Sequence, residues 1–253
     1  MKLILAGMFF VTAALYASVG FGGGSTYTAL LIVAGTDYQI VPIIALTCNI
    51  LVVSGNVIRY GRERIVPWTR IWPLIILSVP AAWIGGRLQI SEAVFIGLLC
   101  LALFIAGVRL IAQKRLADSD VMRPQNLWLN AAIGGGIGFF SGLVGIGGGI
   151  FLAPILHFLH WGKAKTIAAT CSLFILVNSI SGIGGQMAKL SDLSRIPDAF
   201  AYWPVIPAVL IGGFIGNHMG VFKISDRALK RLTGVLILLV AIRLAYRWLT
   251  LMF

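Results

Sequence analysis

The chain reads as a succession of long apolar runs joined by short basic connections, and that alternation bounds every fold open to it. A membrane-spanning helix needs about 20 largely apolar residues. Ordinary runs of that kind occur at about 40–58, 68–88, 93–112, 164–186, 201–221 and 229–252. Two further stretches, 3–34 and 127–160, are too long for one simple span, and a glycine run interrupts each. Of the 253 residues 59% are hydrophobic and 11% charged, and mean hydropathy is +0.96. A soluble domain carries roughly 25% charged residues to cover its surface. This chain lacks that coat, so its surface must face lipid, which excludes a soluble enzyme or receptor. The expected fold class is an all-α integral membrane protein.

The net charge of +12 does not point to nucleic acid. The Lys and Arg residues sit in the connections, where such charge sets membrane orientation. The acidic residues Asp37, Glu63, Glu92, Asp118, Asp120, Asp192, Asp198 and Asp226 lie in connections or at segment ends. No apolar run holds a carboxylate near its middle, the usual partner of a cation inside a membrane. Cation transport is disfavoured and anions stay open. Cys48, Cys100 and Cys171 lie inside apolar runs without metal-binding or disulfide spacing, and no cofactor is expected.

The two halves match in order. Val19-Gly20-Phe21-Gly22-Gly23-Gly24 corresponds to Val144-Gly145-Ile146-Gly147-Gly148-Gly149, and Ala45-Leu46-Thr47-Cys48 to Ala168-Ala169-Thr170-Cys171. Trp72-Pro73 answers Trp203-Pro204, Ile84-Gly85 answers Ile215-Gly216, and Ile90-Ser91-Glu92 answers Ile224-Ser225-Asp226. Val108-Arg109-Leu110 answers Ile242-Arg243-Leu244. Collinear matches of this kind indicate a duplication: a first membrane repeat at 1–115, a cytoplasmic linker at 116–126 and a second repeat at 127–253. The recurrence of the N-terminal pattern at 127–146 argues that residues 3–19 are structure rather than a signal peptide. If each broken segment crosses once, the repeats are parallel. If each dips in and returns, they are inverted, with a re-entrant helix plus three transmembrane helices per half. Loop charge separates the two poorly, and the inverted arrangement is favoured because secondary carriers commonly place a midplane site between inverted repeats. In either arrangement the connections at 59–70 and 113–126 belong in the cytoplasm.

Unwound backbone survives in lipid only where protein or a water-filled cavity receives it. Two unwound stretches in equivalent positions are the best sequence pointer to a carrier's substrate site. A helix restarting at Ser25 or Ile150 presents free N–H groups and the positive end of its dipole, a natural seat for an anion. Neither run completes a dinucleotide fingerprint, since Ser25 and Ile150 occupy its last glycine position and no strand precedes. The candidate substrate residues are therefore Gly22, Gly23, Gly24 and Ser25 with Gly147, Gly148, Gly149 and Ile150. Thr47, Cys48, Asn49, Thr170, Cys171 and Ser172 are candidates to complete the shell, against the plainer reading of hydrogen bonds between helices. Asn56 and Asn178 lie further along the same runs. Arg87 and His218 occupy roughly equivalent positions near span ends, where an Arg usually snorkels to the headgroups, against the alternative of attracting anions at a pathway mouth. Arg109 and Arg243 read as interfacial anchors, and His157 and His160 lie beside Trp161 at an expected interface. Enzyme readings fail on pattern: Phe139, not glycine, stands two before Ser141, and no carboxylate cluster is available to hold magnesium. No P-loop suggests direct ATP drive.

With these features the chain resembles the TauE/SafE family of sulfite exporters and related anion permeases over nearly its whole length. The resemblance rests on Ser18-Val19-Gly20-Phe21-Gly22-Gly23-Gly24 and Gly142-Leu143-Val144-Gly145-Ile146-Gly147-Gly148-Gly149. Pro154 and the stretch Ala169-Thr170-Cys171-Ser172 support it. It implies a bacterial inner-membrane carrier of a small anion such as sulfite, thiosulfate or a sulfonate, working in the lipid bilayer without nucleic acid. A passive anion channel and a non-transporting membrane subunit are the alternatives. Tyr27 and Ala29 stand where the second half has Leu152 and Pro154, so the two half-sites are expected to differ.

Overall fold

The computed structural model describes residues 2–112, 126–189 and 199–219, with scattered helical positions between 235 and 250. Its elements in chain order are α1 (Lys2–Ser18), α2 (Gly24–Val33), α3 (Val41–Arg62), α4 (Trp68–Arg87), α5 (Glu92–Ala112), α6 (Leu127–Val144), α7 (Gly149–Phe158), α8 (Ala164–Lys189) and α9 (Val205–Met219). Among the described residues there is no strand. The helices α3, α4, α6 and α8 are each long and apolar enough to cross a membrane. The boundaries follow local chemistry. Pro42 opens α3 while Arg59 and Arg62 close it, where their charge complements the helix dipole. Asn126 caps α6 by accepting from the Leu129 N–H at 3.2 Å. The run expected at 229–252 and the linker at 116–126 fall largely outside the described residues.

Helix packing rests on small residues, as it must where lipid is as apolar as the side chains. Gly134, Gly138 and Gly142 share one face of α6, and a Cβ on any of them would run into the backbone of Leu74, Ser78 or Ala82 on α4. The order of these contacts makes α4 and α6 run side by side in the same direction. Gly212 and Gly216 of α9 pack in the same way on Phe10 and Ala14 of α1, and Gly213 faces Val52 of α3. Helix α8 runs against α3, since Lys165 meets Glu63 at one end and Gly182 meets Leu46 towards the other.

These directions define two ends of the bundle. One, called here the basic end, holds the α3–α4 connection with Arg62, Glu63 and Arg64, the start of α6 and the α7–α8 turn; Arg70 lies 5.1 Å over the ring of Trp161 there. The opposite end holds the α2–α3 turn and residues 199–204, joined by the Thr36 hydroxyl donating to Tyr202 Oη at 2.9 Å. Exposed aromatic side chains mark both ends, Trp68 and Trp128 (86% exposed) at the first and Phe200 and Trp203 (64%) at the second. This is where interfacial aromatics of a membrane protein lie. Between them, Phe9 stacks on Tyr27 at 4.6 Å within a cluster that includes Phe95, Leu99 and Leu103.

Candidate functional site

Both glycine runs break their helices where the sequence places the breaks. Gly23 and Gly148 immediately precede α2 and α7 with φ of +85° and +78°, a left-handed conformation that side-chain-bearing residues rarely adopt. The carbonyl of Gly23 accepts from the N–H groups of Thr26 and Tyr27, and that of Gly148 from Phe151 and Leu152. The N–H groups of Gly22, Gly23, Gly24 and Ser25, and of Gly147, Gly148, Gly149 and Ile150, have no backbone carbonyl partner among the described residues. These are the orphan donors of a helix start, present in both halves. The helices restart at Gly24 and Gly149, one residue before the expected Ser25 and Ile150.

The two runs meet at Asn49. Its Nδ2 donates to the Ile146 carbonyl at 3.2 Å, the residue is fully buried, and its Oδ1 has no protein partner. A Cβ on Gly22, Gly24 or Gly147 would strike this one amide. A Cβ on Gly24 would also strike the Ile146 carbonyl. Glycine at these positions thus lets the two loops and the amide close on one another.

A cavity of about 300 Å³ leads to this point. Its closed end is formed by Gly22, Gly23, Gly24, Ser25, Asn49 and Gly149, and Ile150 and Pro154 line its wall. Its lining also includes the exposed Lys165 and the half-buried His157, both at the basic end, together with the buried Tyr60, so it reaches the surface at that end. Among the described residues no Asp or Glu lines it. Lys165 pairs with Glu63 at 2.8 Å, and that hydrogen bond, ahead of its charge and that of Arg59, holds the Glu63 carboxyl below its ordinary range. The described residues contain no group of His, Cys, Asp and Glu suited to a metal ion.

Other candidates lie apart from the cavity. The Thr47 and Thr170 hydroxyls donate to carbonyls of their own helices, Ile43 and Thr166, both at 2.8 Å. Ser172 donates to the Gly20 carbonyl at 2.6 Å, so it braces the first loop from behind. Cys48 and Cys171 are buried in apolar clusters, and Gly147 and Gly148 shape the second loop without lining the cavity. Arg87 folds over Trp83 at 5.1 Å and His218 lies against Phe214 at 4.2 Å, as interfacial side chains do. The side chains of Arg109 and Arg243 lie outside the described residues. His157, expected at the interface, also lines the cavity near the basic end. Lys165 and Tyr60 were not singled out by sequence. Each reads there as an ordinary residue at a span end, and only the pairing of α3 with α8 brings them to one opening.

Together, the apolar helices, the interfacial aromatics and a recess ending on broken helices define a multi-pass helical membrane protein. The chain belongs to the sulfite exporter TauE/SafE family, which it matches over residues 4–244, and is thereby a membrane transporter. It is 33% identical over 246 residues to the probable membrane transporter protein y4hK of Sinorhizobium fredii, covering 96% of this chain and 97% of that one. It is 27% identical over 263 residues to the probable membrane transporter protein YjnA of Bacillus subtilis, covering 96% and 98%. Sulfite exporter TauE/SafE family protein 3 of Arabidopsis thaliana is 29% identical over 140 residues, 55% of this chain and 28% of the plant protein. No solved structure matches the chain.

Proposed function

We propose that the protein is a secondary carrier for a small sulfur-containing anion such as sulfite, thiosulfate or a sulfonate, bound where the glycine loops meet. The observation that carries this reading is the cavity itself. Among the described residues its lining holds no carboxylate, it reaches the basic end at Lys165, and it closes on amides that lack carbonyl partners. Aligned N–H groups at helix starts hold an anion without a buried counter-charge. The Lys/Arg excess at the basic end raises the local concentration of anions there. The inner shell consists of the amides at Gly22–Ser25 and Gly149–Ile150 with Asn49, while Ser172 and Gly147–Gly148 hold the loops in place. Membership of a sulfite exporter family supports a sulfur anion as substrate.

The helix directions support inverted halves. Helix α2 ends beside Tyr202 and α7 beside Arg70, so each broken segment returns towards the end from which it came. With α3 to α5 in the first half, and α8, α9 and the run expected at 229–252 in the second, each half would have three crossings. The basic end then faces the cytoplasm under the positive-inside tendency, in a bacterial inner membrane.

Counterflow in proteoliposomes tests the proposal, with sulfite, thiosulfate, a sulfonate, sulfate and a plain carboxylate supplied in turn. Saturable exchange confined to sulfur anions is expected. Flux without counterflow identifies a passive channel, and no exchange of any anion by folded protein refutes the carrier.

A further inference from the structure

Among the described residues that line the cavity, Lys165 is the one of fixed positive charge, and it lies at the basic end. Its Nζ lies 2.8 Å from Glu63 Oε2, with side chains 64% and 40% exposed. Below this pair the walls form a graded series. Tyr60 precedes Glu63 by about one turn at the end of α3, and Ala168 follows Lys165 by about one turn on α8. Both reach Gly20, where a Cβ would lie 2.8 Å from Tyr60 Oη and 3.1 Å from the Ala168 Cβ. Gly20 in turn begins the loop whose amides close the cavity. A full charge, a hydroxyl and then backbone amides succeed one another inward.

We propose that the Lys165 ammonium is the first anion-binding station of the pathway, with Glu63 as its resident counter-ion, displaced by each incoming oxyanion. This rests on the carrier reading above and adds to it a second, outer subsite. A carboxylate and a small oxyanion offer an ammonium the same kind of acceptor. An exposed ion pair is worth little by itself, so the exchange is nearly balanced and the outer station does not trap the substrate. Glu63 therefore competes with the substrate, and its removal strengthens capture.

The test uses proteoliposomes sorted for one orientation, with sulfite as probe, or thiosulfate where sulfite is not exchanged. Wild-type counterflow is measured first; its absence refutes the carrier, a failure distinct from that of the outer station. KM and maximal rate are then compared for wild type, Lys165→Met, Lys165→Gln, Lys165→Arg, Glu63→Gln and the Glu63→Gln/Lys165→Met pair. Loss of the ammonium raises KM roughly three- to tenfold, with a smaller change in maximal rate, whereas Lys165→Arg stays near wild type. Glu63→Gln lowers KM by roughly two- to fivefold, and does so only while Lys165 is present. An equal effect of Glu63→Gln in both backgrounds reduces Glu63 to bulk charge and overturns the proposal. So does an unchanged KM in folded Lys165→Met or Lys165→Gln protein.

Discussion

Gly24→Ala probes the meeting of the two loops with the smallest available change. Gly24 heads α2 outside the left-handed region, so alanine meets no backbone strain and acts through contact alone. Its Cβ would overlap Asn49 Nδ2 and the Ile146 carbonyl, and would lie 2.9 Å from Asn49 Oδ1. The side chain can rotate away, but the carbonyl belongs to the opposite loop and must move with it. Overpacking of this kind costs about 1–3 kcal/mol, and the helix preference of alanine over glycine returns about 0.5–1 kcal/mol. The net loss, about 0–2.5 kcal/mol on those figures, leaves most of the protein folded. The site suffers more, because the Asn49–Ile146 hydrogen bond cannot survive a wedge between its partners. Misplacement by about 1 Å can lower a rate about 100-fold, so at least a tenfold loss of counterflow is expected with insertion intact. Gly136→Ala is the control, since a Cβ there meets nothing within 4 Å. Flux is read in proteoliposomes and folding by thermal stability in detergent. Wild-type flux in folded Gly24→Ala protein would refute the loop-to-loop site.

The remaining predictions concern the supports of that site. Asn49→Ala leaves the buried Ile146 carbonyl without its side-chain donor and is expected to lower stability by about 1–3 kcal/mol, seen as an earlier melting transition. Asn49→Asp keeps the shape but replaces the donor with a charge that repels an anion, so counterflow falls further than in Asn49→Ala. Gly142→Ala drives a Cβ into the Ala82 backbone and is expected to destabilise by about 1–3 kcal/mol, whereas Gly136→Ala on the same helix gains about 0.5–1 kcal/mol; equal melting temperatures would sink the seam argument. The depressed Glu63 carboxyl contributes its share of stability above its unfolded value and loses it as pH falls through the lower folded value. The melting difference between wild type and Glu63→Gln is thus constant near neutrality and disappears at acid pH, and a difference that widens on acidification contradicts the pairing.

The sequence carried the helices and their interruptions because lipid allows few alternatives. A backbone group unpaired in hydrocarbon is so costly that apolar runs near 20 residues become helices, and α3, α4 and α8 begin within a few residues of the expected limits. Asn49 was also legible, since an amide inside an apolar helix has reason to face protein. Thr47 and Thr170 look similar in sequence, yet a hydroxyl on a helix can always use the carbonyl four residues back, and both do. That local option is invisible in the choice of residue. Lys165 illustrates the opposite gap: nothing in the sequence singles it out, and only the fold brings Glu63 to it from 102 positions away.

On the carrier reading proposed above, the distribution of charge along the cavity follows from what such a protein must do. A lysine or arginine at the closed end would bind an anion strongly in a poorly hydrated site, and removing either partner would strand a buried charge. Release would then be as difficult as capture is easy. Amides avoid this, because their partial charges are fixed by the backbone and need no counter-ion when the site is empty. They also tie affinity to loop geometry: moving the first loop relative to the second separates Gly24 from Ile146 and disperses the donors together. Asn49, bonded to one loop and in contact with both, links those movements. A full charge is useful only at the mouth, where water screens it and Glu63 neutralises it between arrivals. Binding energy that depends on the relation of two loops, rather than on one charged side chain, is energy that a conformational change can switch off.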